Sequence, residues 1–109
     1  YWAALLRYDQ AAEAGLDTPL LHYNAGVAHY KAGQHIRARE SLQKATRSSS
    51  LRQLAHYNLG LNAYAAGDGD EALQWFRLAR DESGNEEVSS LARTAIARIR
   101  RGEREEDPV

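Results

Sequence analysis

Apolar positions in this chain recur at helical spacing between short polar breaks. Ala25, Gly26, His29 and Tyr30 fall at i, i+1, i+4 and i+5, and Ala38, Leu42 and Ala45 at i, i+4 and i+7. Each set is one face of a helix with 3.6 residues per turn. Val88, Leu91, Ala92, Ala95, Ile96 and Ile99 make a further stripe near the C-terminal end. The breaks carry helix punctuation. Thr18-Pro19 supplies an N-cap and a proline for the first turn. Gly33 and Gly67 stand where a left-handed C-cap is wanted. Ser50 and Asp68 are placed to cap the helices that follow, and Asn85 precedes Glu86 and Glu87, which suit the positive end of a helix dipole. The pattern predicts about six helices and no strand.

The pattern also repeats. "YNAGVAHYKAG" at 23–33 and "YNLGLNAYAAG" at 57–67 agree at six of eleven positions, at an offset of 34 residues. The same shift lays His22 on His56, Ala38 on Ala72, Leu42 on Phe76 and Ala45 on Ala79. Shifted the other way, Ala4, Tyr8 and Ala11 fall on Ala38, Leu42 and Ala45, so the chain opens inside the second half of an earlier unit. Gly26 and Gly60 sit within helices, where glycine costs about 1 kcal/mol relative to alanine. Close helix–helix contact is the expected compensation, with Ala38, Ala45, Ala72 and Ala79 as the matching small surface.

A period of this length, with Gly, Ala and large apolar residues in "HYNAGVAHY…ARESL" and "HYNLGLNAY…ALQWF", resembles the tetratricopeptide repeat, W-x2-L-G-x2-Y then A-x3-F then P. His22 and His56 replace the Trp, His29 and Ala63 stand at the Tyr position, and Ser50 replaces the closing Pro. The resemblance runs from Tyr1 to about Arg101. It implies an all-α, right-handed α-solenoid of antiparallel helix pairs, about three repeats long. On this reading 1–18 is the second helix of a truncated repeat, 19–50 and 53–84 are full repeats, and 86–102 is a terminal capping helix. The charged "EREEDPV" at 103–109 is an exit tail or linker. The first residue is Tyr1, with no methionine anywhere in the chain, so the sequence reads as a fragment of a larger protein.

Composition narrows the function classes. With 14 basic and 15 acidic residues the net charge is −1, which gives no electrostatic footprint for nucleic acid. No apolar run approaches a bilayer span, so direct membrane insertion is not expected. Without cysteine, neither a disulfide framework nor a thiolate metal site is available. That composition suits cytoplasm and periplasm alike. The likeness to repeats of bacterial envelope and secretion proteins tilts it towards the periplasm.

Candidate chemistry is sparse. His22, His29 and His56 occupy packing positions and lack the convergent partners a zinc site needs. They read as half-buried imidazoles with one nitrogen hydrogen-bonded. Ser48–Ser50 has no nucleophile-elbow context. "GDGDE" at 67–71 lacks the distant bidentate Glu of a calcium loop. Arg93, Arg98, Arg100 and Arg101 near the end of the last helix complement its dipole. No catalytic residue, metal ligand or cofactor is expected, and the chain reads as a non-enzyme.

The family resemblance instead implies a concave groove lined by first helices. Its positions here are Tyr23, Asn24, Val27, Tyr30, Lys31, Tyr57, Asn58, Leu61 and Tyr64. Tyr23, Val27 and Tyr30 do share one helix face. Tyrosine offers apolar area with a polar tip, and an asparagine amide can grip an extended backbone. Tyr30 and Tyr64 equally suit packing between repeats. Lys31 is the one cation among these positions, so a carboxylate clamp is not implied. The expected function is a protein–protein interaction scaffold that binds a peptide or partner protein in this groove. The alternative is a structural spacer that positions neighbouring domains of a larger envelope or secretion protein. Tyr1, Trp2, Leu5 and Tyr8 are expected to form an apolar end through which copies self-associate.

Overall fold

The computed structural model describes residues 2–106. Six helices follow one another as α1 (Trp2–Glu13), α2 (Pro19–Lys31), α3 (His35–Ala45), α4 (Arg52–Ala65), α5 (Gly69–Asp81) and α6 (Glu86–Glu106). Each packs on its neighbour in sequence. Besides this, α2 touches α4 and α4 touches α6, whereas α1, α3 and α5 make no such contact among themselves. The first-helix row α2–α4–α6 is therefore the inner, concave side of an elongated stack measuring 55 × 29 × 16 Å.

The helix ends follow local chemistry. Thr18 Oγ1 accepts from the Leu21 N–H at 3.2 Å, and Pro19 opens α2. Gly33 and Gly67 adopt φ of +77° and +88°, and the next amides, of Gln34 and Asp68, reach back to the carbonyls of His29 and Ala63. That left-handed geometry, which a side chain resists, turns the chain between paired helices. Asp68 Oδ1 caps the Glu71 N–H at 3.0 Å, and Asn85 Oδ1 takes the Glu87 N–H at 2.8 Å.

Ser50 does not cap α4. Its hydroxyl pairs with Ser48 at 3.0 Å, and the helix starts at Arg52 after a run of turns through 46–51. Arg52 Nε donates back to the Thr46 carbonyl at 2.9 Å and holds that turn. At the other end, 103–106 were expected in an exit tail, yet they continue α6. Glu and Arg are good helix formers, so a charged run can extend an existing helix. Residues 107–109 lie outside the described part.

The core explains the internal glycines. A Cβ on Gly26 would stand 2.6 Å from Leu42 Cγ, and one on Gly60 would stand 2.5 Å from Phe76 Cε1. Close contact is therefore the reason for glycine here. The atoms that fill the space belong to Leu42 and Phe76, however, not to the alanines on either side. Ala38, Ala45, Ala72 and Ala79 are fully buried and let those two large residues seat between helices.

Polar joints complete the stack. Gln53, buried in α4, donates to the carbonyls of Ala79 (3.0 Å) and Asn85 (3.2 Å) and to Ser89 Oγ (2.9 Å). Its Oε1 accepts from the Asn85 N–H at 2.8 Å. One side chain thus ties α4 to the end of α5 and the start of α6. Asn62 does likewise one joint earlier. It accepts from His35 Nδ1 and donates to the His35 carbonyl, both at 2.9 Å.

Candidate interaction groove

Two recesses open on the concave side. The first lies between α1 and α2 and is lined by Ala4, Tyr8, Tyr23, Asn24, Val27, Ala28 and Lys31. The second, with a volume of about 240 Å³, lies between α4 and α6. Tyr57, Leu61 and Tyr64 line it from α4, Phe76 forms part of its wall, and Leu91, Thr94, Ala95, Arg98 and Ile99 line it from α6. The structure thus places Tyr23, Asn24, Val27 and Lys31 around one recess and Tyr57, Leu61 and Tyr64 around the other. Tyr30 is half-buried and lines neither. Tyr64 is 58% exposed, so it is not consumed in packing between repeats.

Asn24 and Asn58 differ, although they are repeat mates. Asn24 is exposed at the first recess. Asn58 is half-buried, and its amide donates to the Tyr23 hydroxyl at 3.2 Å and to the Leu54 carbonyl at 2.9 Å. It acts as a latch between α2 and α4. Burial pushes the Tyr23 phenol above its ordinary range, with the Asn58 hydrogen bond pulling the other way. The two asparagines are therefore not equivalent groups offered to one peptide backbone.

Arg98 was read as complementing the helix dipole. Here it lines the α4–α6 cavity as a second cation of the groove, besides Lys31. Its exposed guanidinium has no acidic partner among the described residues, whereas Arg93 pairs with Glu86 and Arg39 with Glu71, both at 2.6 Å. Gln53, Asn62 and His35, which hold the helices that frame the groove, escaped the repeat pattern. Their 34-residue mates are Pro19, Ala28 and Gly69, so periodicity could not flag them. The available signal was a polar residue inside an apolar packing stripe.

Each histidine has a partner. His22 pairs with Asp17, whose carboxyl is held below its usual range chiefly by that hydrogen bond. His56 pairs with Glu82 and stacks on Trp75 with centroids 5.6 Å apart. His29 Nδ1 donates to Gln34 Oε1 at 2.6 Å and is buried, deeper than expected. Among the described residues no three His, Asp or Glu side chains come together as metal ligands. No helix there is long and apolar enough to cross a membrane.

At the N-terminal end Trp2 and Leu6 are 61% and 60% exposed. Leu5, expected on that apolar end, is buried and faces the recess beside His29 and Gln34. Tyr8 is half-buried in the first recess, and Tyr1 lies outside the described residues.

Stacked antiparallel helix pairs with one row turned inward define an α-helical repeat solenoid. The family model "Tetratricopeptide repeat" matches residues 1–50 and again 23–87. The chain belongs to the tetratricopeptide repeat family, whose members generally mediate protein–protein interaction and are typically non-enzymatic scaffolds. No curated protein matches the chain.

Proposed function

We propose that this chain is an interaction scaffold that holds an extended segment of a partner protein along the α2–α4–α6 face. One observation carries the reading. The half-buried apolar groups of that face, Val27, Leu61 and Tyr57, line open recesses beside tyrosines and exposed cations, with Leu61 and Tyr57 backed by the core of α5 and α6. Aromatic rings with polar tips around an apolar floor are a favoured composition for binding surfaces. The test is selection of a random dodecapeptide display library on the chain. Selected peptides are then titrated against wild type, against Val27→Glu and Leu61→Glu in the groove, and against Lys44→Glu on the outer helix α3. Loss of binding in the groove variants alone supports the reading. No enrichment, or loss only with Lys44→Glu, overturns it.

The exposed Trp2 and Leu6 favour a second reading, an assembly module whose end faces pair. Sedimentation equilibrium at rising concentration should then show association that Trp2→Ser with Leu6→Ser abolishes. A monomer throughout refutes it.

A further inference from the structure

We propose that the α4–α6 cavity receives one bulky apolar side chain of an extended segment, and that Arg98 receives an Asp or Glu side chain two residues from that anchor. The inference rests on the groove reading above and names the chemistry of its partner.

Size decides the first half. At about 240 Å³ the cavity falls below the roughly 300–1,000 Å³ of pockets that enclose drug-sized molecules. It suits a single anchoring side chain of the kind that dominates protein interfaces. Its walls are apolar, from Leu61, Phe76, Leu91, Ala95 and Ile99. Phe76 backs one wall from the core. It is fully buried, is held in contact with Gly60, and meets the Tyr57 ring at 5.6 Å between centroids.

Charge decides the second half. Arg98 reaches the cavity edge without an acidic partner among the described residues, and Arg101 follows one turn later, also exposed. A guanidinium at the edge of an apolar hole selects a carboxylate, which can accept a two-pronged hydrogen bond.

Spacing selects the source of that carboxylate. Leu91 and Arg98 lie seven residues apart along α6, about 10 Å at 1.5 Å per residue. A chain-terminal carboxylate would sit on the anchor residue itself. In an extended segment, residues i and i+2 point the same way about 7 Å apart, which matches an anchor near Leu91 and Ala95 and an acid at Arg98. The recognised feature is therefore an apolar residue, any residue, then Asp or Glu.

The probe is the capped peptide acetyl-Ser-Thr-Ser-Phe-Ser-Asp-Ser-Thr-Ser-amide, whose only carboxylate is its Asp, titrated by fluorescence anisotropy with a dye on its first serine. Replacing its Phe by Ala should weaken binding at least about tenfold, the scale of burying one aromatic side chain. Replacing its Asp by Asn should weaken it about threefold to fivefold, as for a partly exposed ion pair. Arg98→Glu should weaken binding of the parent peptide and restore binding when the peptide Asp is replaced by Lys. Indifference to the Phe→Ala change, or to Arg98→Glu, overturns the proposal. If the probe fails to bind while library-selected peptides bind and are lost on Val27→Glu, the cavity inference falls and the groove reading stands. If neither binds, both fall.

Discussion

The most exacting test of the fold is the addition of one methyl group at Gly60. Two effects oppose each other. Alanine within a helix is favoured over glycine by about 1 kcal/mol. Against this, the new Cβ would lie 2.5, 2.6 and 2.8 Å from three carbons of the Phe76 ring, closer than real Cβ contacts come. Overpacking of this kind costs about 1–3 kcal/mol. The ring is fully buried, but it also borders the α4–α6 cavity, into which it can shift by a few tenths of an ångström. That relief keeps the cost near the middle of the range, so Gly60→Ala should destabilise by about 1 kcal/mol net. For a domain of this size that lowers the melting temperature by about 4–8 °C. Gly26→Ala should cost more. Its Cβ would meet the Leu42 backbone N–H as well, at 3.1 Å, so the helix and not only a side chain must move. Circular dichroism at 222 nm through a thermal ramp reads both. A control isolates the cause. With Phe76→Val as background the ring is gone, and Gly60→Ala should then be neutral or stabilise by up to about 1 kcal/mol. A Gly60→Ala melting temperature equal to or above wild type refutes the close-packing argument. An equal loss in both backgrounds refutes the assignment to Phe76.

Three other outcomes follow from the same contacts. Asn58→Ala should cost about 1 kcal/mol of stability, the usual value for a partly buried hydrogen bond, while exposed Asn24→Ala stays within about 0.5 kcal/mol; equal losses in urea melts would refute the inequality of the two sites. Gln53→Leu should cost about 2–3 kcal/mol because it orphans the Asn85 N–H and Ser89 hydroxyl, and it should speed hydrogen exchange of the Asn85 amide, whose unchanged rate would exclude Gln53 as the joint. The raised Tyr23 phenol favours the protonated form in the folded chain, so its contribution is full below about pH 10, the unfolded value. It is lost as pH rises through the higher folded value, and a Tyr23→Phe chain with the same alkaline melting profile would refute it.

What could be read from the sequence was what repeats. Gly26 and Gly60, Leu42 and Phe76, and the capping glycines announce themselves because each appears twice in equivalent surroundings. Gln53 and Asn62 each appear once, so no period reports them, although they fasten successive joints. The direction of a side chain was legible only in part. A helical wheel places Asn58 near the inner face but cannot say whether its amide faces a ligand or the neighbouring helix. That depends on where Tyr23 sits 35 residues earlier, which is set by how closely α2 and α4 approach. The place of Arg98 beside the cavity was hidden for a related reason. In the sequence Arg98 stands close to the expected end of its helix, which is explanation enough, and the cavity beside it exists only once α6 is laid against α4.

The difference between the two inner contacts accounts for the groove's uneven chemistry. Between α2 and α4 the stack brings Asn58 to the Tyr23 hydroxyl, so polar groups satisfy each other. Between α4 and α6 Tyr57 and Leu91 line the same cavity, and among the described residues no side chain bonds the Tyr57 hydroxyl. A leucine cannot complete the latch. The Tyr57 ring leans instead on Phe76, and the space left open becomes an apolar hole with a hydroxyl and a guanidinium at its edge. Substituting Leu91→Asn should extend the latch by one step, narrow the hole and raise the melting temperature, while weakening any partner anchored there. Stability and binding would then move in opposite directions in one variant. That is the behaviour expected if the hole is an interaction site left open at the cost of a joint. Should both fall together, or binding survive intact, the open contact is merely a loose end of the stack.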